Sequence, residues 1–158
     1  MQLKYEKILY CTDFSDDADY AFLTALDMAE KYQAHLFVFH VLHSSHKYTR
    51  NVVDEQSEGE AEAFISPELL DKGVQKLKEK YGAKMGAFQN YEYQVGGGVP
   101  FVEIVRFARA HNVDFIVLGA SGSSELDKTT FGSTAENVAR RAHCTVMAIR
   151  FPGKIFNL

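Results

Sequence analysis

The chain has no basic excess: 17 lysines and arginines stand against 21 aspartates and glutamates, a formal net charge of −4. No stretch gathers its cations into a stripe. A nucleic-acid binder must neutralise a phosphate backbone, so nucleic acid is not expected as the partner. Long apolar runs are also missing. None approaches the ~18–20 residues of a membrane span, so no membrane partner is expected either. Met1 to Lys7 leads straight into a strand-like run, without the charged region, apolar region and cleavage site of a signal peptide. Cysteines are few: Cys11 and Cys144, both inside apolar stretches. Buried, reduced thiols in a cytoplasmic protein are the simplest expectation.

Catalytic signatures are lacking as well. No G-x-x-x-x-G-K-(S/T) loop is present, and no cysteine–histidine pair lies close in sequence. The first strand is not followed by the Ser-Gly-Gly loop of an adenylating pyrophosphatase. No catalytic residue is assigned.

What is present suits a single domain over residues 1–158. The chain is 46% hydrophobic and 24% charged, near the globular average. At this length folding buries roughly 70% of the surface of the unfolded chain, so no disulfide or metal staple is needed. Ile8-Leu9-Tyr10-Cys11 reads as a buried strand ending near Thr12. Ala18, Ala21, Phe22, Ala25, Leu26 and Ala29 recur at helical spacing, which predicts a helix from Asp16 to Tyr32 capped by Ser15. Asp16 and Asp17 suit the positive end of its dipole. Leu36 to Leu42 is an almost unbroken apolar strand. The polar, acid-rich stretch over residues 44–65 is expected to be a mobile loop.

Ser66-Pro67-Glu68 starts a second helix, and Gly82 is expected to end it. Phe88 to Val95 predicts a third strand, with Gly96-Gly97-Gly98 as a turn. Pro100 opens a third helix that Asn112 should terminate. Phe115 to Leu118 is a fourth strand, Ser133 to Ala142 a fourth helix with Ala135, Val138, Ala139 and Ala142 inward, and Thr145 to Ile149 a fifth strand.

Strict alternation of apolar strands and helices implies an open, Rossmann-like α/β fold: a parallel sheet with helices on both faces. Right-handed crossovers favour the five-stranded order 3-2-1-4-5. The switch point then lies between strands one and four. Ligands of such sheets bind outside the carboxyl ends of the strands there. Strand one exits at Thr12-Asp13, and strand four at Leu118-Gly119. These four residues are candidates for a ligand site.

Beyond Leu118 lies Gly119-x2-Gly122-x9-Gly132-Ser133-Thr134. Glycines allow close approach to a phosphate, and a helix N-terminus adds free N–H groups and a dipole of the right sign. The segment reads either as a phosphate cradle or as a surface loop with a small-residue helix cap.

The spaced glycine motif resembles that of the nucleotide-binding universal stress proteins. The resemblance covers nearly the whole chain, including Ile8 to Ser15, His40-Val41, Gly98-Val99-Pro100 and Val113 to Gly119. It implies that Asp13 contacts ribose or the adenine edge, and that the Val41 backbone faces adenine. It also implies that Gly119, Gly122, Gly132, Ser133 and Thr134 hold the phosphates of ATP or AMP, with Mg or Mn on the ligand rather than on protein side chains. Two positions depart from the family pattern. Phe14 stands where many relatives have glycine, and it is expected to narrow the adenine end. Thr145 stands where relatives usually have proline before strand five.

Other polar candidates are weaker. His40, His43 and His46 are spaced at three but lack a converging carboxylate or thiol, so they suit solvent or the adenine side better than a metal. Lys128, inside the glycine loop, suits either a phosphate or solvent.

The expected function is a nucleotide-dependent binding or signalling module in a stress response. Slow ATP hydrolysis and a structural role with an unoccupied pocket are the alternatives. The fifth strand, from Thr145 to Arg150, and the apolar tail beyond it suggest a paired edge and a homodimer. The family resemblance implies dimerisation through the same strand.

Overall fold

In a computed structural model, residues 4–43, 65–122 and 131–152 are described. The apolar runs become five strands: β1 (Lys7–Cys11), β2 (His35–His43), β3 (Tyr91–Gly98), β4 (Phe115–Gly119) and β5 (Thr145–Ile149). Every neighbouring pair is parallel, and the order is β3-β2-β1-β4-β5, as the alternation of elements predicts. The helices between them are α1 (Asp16–Tyr32), α2 (Pro67–Tyr81), α3 (Pro100–Ala110) and α4 (Ser133–Arg141). Among the described residues no helix is long and apolar enough to cross a membrane.

Side-chain alternation along the strands divides the core in two. Ile8 and Tyr10 of β1 point to the side covered by α1 and α2, meeting Phe22, Ala25, Leu77 and Tyr81. Leu9 and Cys11 point to the other side, meeting Ile104, Ala108, Ala135 and Val138 of α3 and α4. The central strands β1 and β4 are therefore covered on both faces. This explains why their sequences are apolar without alternation. Both cysteines are free thiols; Cys11 is buried as expected, whereas Cys144, beside the edge strand, is only half-buried. Burial pushes the Cys11 thiol well above its ordinary range, which makes it a packing residue and not a nucleophile.

Helix ends follow local chemistry. Ser15 accepts from the Ala18 N–H at the start of α1, and Ser66 accepts from the Leu69 N–H at the start of α2. Asn112, the expected stop after α3, adopts a left-handed φ of 52°.

Three expectations shift. Gly82 does not stop the second helix by a left-handed turn: its φ is −55°, and the chain continues as a 3-10 turn over Gly82–Met85. The reversal comes at Gly86, with φ of 57°. The third strand begins later, at Tyr91, and runs through the three glycines. The reason is the length of β2. It extends to His43 and offers ladder partners as far as Gly98, so the glycines pair instead of turning. Ala139 of α4 faces solvent, because β5 and α3 cover only one side of that helix. The acid-rich stretch over 44–64, the glycine-loop interior over 123–130 and the tail over 153–158 lie outside the described residues.

Candidate functional site

Where β1 and β4 lie side by side, the chain leaves them in opposite directions, to α1 on one face and α4 on the other. The gap opens into a cavity of about 1080 Å³. Thr12, Asp13, Val41, Leu118, Gly119, Gly122, Gly132, Ser133 and Thr134 all line it. No motif in the sequence marks its apolar side, where Val99, Pro100, Phe101 and Ile104 from the start of α3 join Val41. Their signal was the apolar stripe of α3, which reads as plain core until the strand order places it beside β2.

The backbone makes the opposite wall polar. Helices α1 and α2 begin with serine caps, but α3 begins at Val99 and α4 at Gly132, and neither has a side-chain cap bond. Both uncapped ends line the cavity. The first intrahelical bond of α4 comes from Glu136 N–H to Gly132 C=O. The N–H groups of Ser133, Thr134 and Ala135 therefore have no helical acceptor. Pro100 at the start of α3 has no N–H to offer, so α4 is the richer donor end. Among the described lining residues there is no lysine or arginine. The positive field there is thus that of the helix dipole and the free amides.

A second set of backbone groups faces the cavity at β2. Phe39 C=O accepts from Thr12 N–H at 2.9 Å, the last rung towards β1. Alternate residues of a strand direct both N–H and C=O to the same side. Val41, two residues on, therefore turns its pair to the side where β1 has ended. That edge can meet a flat group carrying one donor and one acceptor.

The residue that fixes these walls is Asp17. Its role as a helix-dipole acid is only part of what the structure shows. Asp17 is fully buried. Its Oδ2 accepts from the Ser121 N–H at 3.1 Å and the Ser121 hydroxyl at 2.5 Å. Its Oδ1 accepts from the Phe151 N–H at 2.9 Å. One carboxylate thus ties the start of α1 to the exits of β4 and β5. Gly119 serves the same junction. A Cβ there would stand 2.8 Å from the Ala18 nitrogen and 3.0 Å from the Asp17 Cβ. The missing side chain lets β4 reach α1, a packing reason that the ligand-centred reading did not contain. Farther along, Gly132 N–H donates to Ala120 C=O at 2.7 Å and closes the glycine loop at its base.

The Thr12 hydroxyl is committed within the protein: it lies 2.8 Å from the Tyr81 hydroxyl and accepts from the Phe14 N–H at 3.0 Å. Tyr81 in turn donates to Asp19 Oδ1 at 2.8 Å, and Asp19 Oδ2 pairs with Lys80 at 2.7 Å. Asp13, exposed at the rim, accepts from the Ser15 N–H at 3.0 Å. His40 and His43 also line the cavity. Among the described residues no three or more His, Cys, Asp or Glu side chains converge as metal ligands. His46 and Lys128 lie outside the described residues.

A family model described as the universal stress protein family matches residues 4–150. The chain belongs to the universal stress protein family. It is 33% identical over 156 residues to universal stress protein MJ0531 of Methanocaldococcus jannaschii, covering 95% of this chain and 85% of that one. The solved structure of MJ0577, from the same organism, superposes with a TM-score of 0.75 at 22% identity, covering 96% of this chain and 100% of that one. A universal stress protein solved in complex with cAMP superposes with a TM-score of 0.61 at 22% identity, covering 93% of this chain and 98% of that one.

Within this universal stress protein, Phe14 does not do what its bulk suggested. Its ring is absent from the cavity wall and lies over α2, stacked at 6.4 Å on Tyr81. The cavity is therefore not narrowed by the Phe14 ring itself.

Truncating the Asp17 carboxylate by Asp17→Ala strands the buried Ser121 N–H and leaves the Phe151 N–H without this acceptor. We expect a loss of about 2–4 kcal/mol in urea-unfolding stability. A loss below about 0.5 kcal/mol would show that this junction does not organise the fold.

Proposed function

We propose that this universal stress protein binds an adenine nucleotide, ATP or AMP, in the cavity, and that occupancy alters its association with a partner or a second copy. The observation that carries the reading is the uncapped start of α4. Three amides without helical acceptors, two adjacent hydroxyls and a dipole converge on a wall that holds no described cation. Anionic phosphates satisfy such a wall; an apolar or cationic ligand does not. Ser133 and Thr134 would hold phosphates beside Gly122 and Gly132. Asp13, an acceptor at the cavity rim close to Gly122, suits ribose hydroxyls. The free Val41 backbone edge suits the donor–acceptor edge of adenine, with Phe101 and Ile104 offering the ring an apolar face. The similar fold solved with cAMP supports the same ligand class. Mg or Mn would arrive on the phosphates, since no described cluster of protein ligands offers it a site of its own. The free cysteines fit a reducing cytoplasm.

Hydrolysis is a lesser reading. The α4 terminus can stabilise developing negative charge. The titratable side chains on the described wall are Asp13, His40, His43 and the inert Cys11. This set suits holding a nucleotide better than turning it over quickly.

Calorimetry with ATP, AMP and cAMP tests the binding. Saturable binding of at least one is expected. Gly122→Val should weaken it at least about tenfold, because even a Cβ at 122 stands 3.2 Å from Asp13 Oδ2. No saturable binding of any of the three would sink the reading.

A second copy is the partner that the sheet itself suggests. β5 is an edge strand whose outer side is paired with no other strand among the described residues. We propose a homodimer along Thr145–Ile149, Arg150 and the segment beyond. Ending the chain after Arg150 should lower the mass measured by light scattering at a fixed concentration; an unchanged dimer mass would refute the role of the tail.

A further inference from the structure

Phe14 has a φ of 64°, in the left-handed region that a bulky L-residue enters only at a cost. Such a conformation persists when its surroundings hold it. Here the Phe14 N–H donates to Thr12 Oγ1, and its C=O accepts from Lys80 at 3.4 Å. Its ring lies 4.6 Å from the His40 imidazole, at 52°. The Lys76 ammonium sits 4.0 Å from the centre of the same ring. The strained residue is therefore the middle of a stack running from α2 to the end of β2.

The other end of that stack is a cavity residue with one nitrogen committed. His40 Nδ1 lies 2.7 Å from Thr12 C=O. A carbonyl can only accept, so Nδ1 carries the hydrogen. In the neutral ring Nε2 is then an acceptor. Nε2 has no hydrogen-bond partner among the described residues, and His40 is one of the residues that line the cavity. Burial holds the imidazole below its usual range, with Lys76 adding to that, while the Thr12 carbonyl and Asp13 act the other way. Around the stack also lie Lys80 and Tyr81 of α2, both bonded to Asp19 of α1, with Tyr10 of β1 bonded to Tyr81 and Lys84 set over the Tyr81 ring.

We propose that Phe14 is a positioning residue that seats His40 in its Nδ1–H tautomer, so that Nε2 accepts a hydrogen bond from an N–H or O–H group on the base or sugar side of the nucleotide. The ligand contact rests on the nucleotide reading above; the seating of His40 does not. It also gives the bulky residue at position 14 a purpose. A glycine would take the same backbone without strain, but it would leave the imidazole unsupported.

Two variants test this. Phe14→Gly suits the left-handed backbone and should fold. In nitrogen-15 spectra of the free protein, wild-type His40 should show a protonated Nδ1 and an unprotonated Nε2, and should titrate below about pH 6.5. In Phe14→Gly the tautomers should mix and the midpoint should rise. His40→Asn keeps an amide that can donate to Thr12 C=O but has no atom in the place of Nε2. Its affinity for ATP should fall about tenfold by calorimetry. His40→Asn binding ATP like the wild type would overturn the ligand contact. An unchanged tautomer and midpoint in Phe14→Gly would overturn the positioning role. If the wild type binds no nucleotide, the nucleotide reading fails and the ligand contact with it, while the free-protein spectra still decide whether Phe14 seats His40.

Discussion

One buried carboxylate organises this molecule. Asp17 sits in the first turn of α1 with no exposed surface, and its oxygens accept from Ser121 after β4 and Phe151 after β5. A carboxylate removed from water is costly unless its oxygens find donors. The three chain segments are therefore held in the arrangement that supplies them. Gly119 completes the junction by letting β4 approach the α1 backbone. The position of the crevice follows, because the exit of β4 cannot move without leaving Asp17 unsatisfied.

The polarity of the crevice follows from where the chain goes next. Two of the helices, α1 and α2, cap their first turns with serine and pack on one face of the sheet. The two that flank the cavity begin without a side-chain cap. Capping satisfies a helix end internally; leaving it open presents the same amides outward. The open end of α4 therefore places a positive field on one wall, with no lysine or arginine among the described lining residues. Asp13 adds an exposed carboxylate at the rim of the same cavity.

Much of this was legible in the sequence. The apolar quartets Ile8 to Cys11 and Phe115 to Leu118 fix the two central strands, since only strands covered on both faces are so uniformly apolar. Their polar exits and the spaced glycines locate the cavity wall. What stayed hidden depends on contacts between distant residues. Asp17 looks like any acid at a helix start; its burial requires knowing that β4 and β5 end against α1. Gly119 looks like a ligand glycine because it opens the spaced glycine motif; its packing against α1 shows only in the fold. The three glycines after Val95 look like a turn because the length of β2, which pairs with them, is a property of another strand. Phe14 looks like an obstruction, because local sequence does not record that its backbone turns left-handed and sends the ring to α2.

The central claim is that nucleotide phosphates are held between the exit of β4 and the open end of α4. Amide hydrogen exchange with and without saturating ATP tests it most directly. Exchange should slow in residues 118–122 and 132–136, with little change in α2. Unchanged exchange in both segments at saturation, or protection confined to another part of the molecule, would contradict the account.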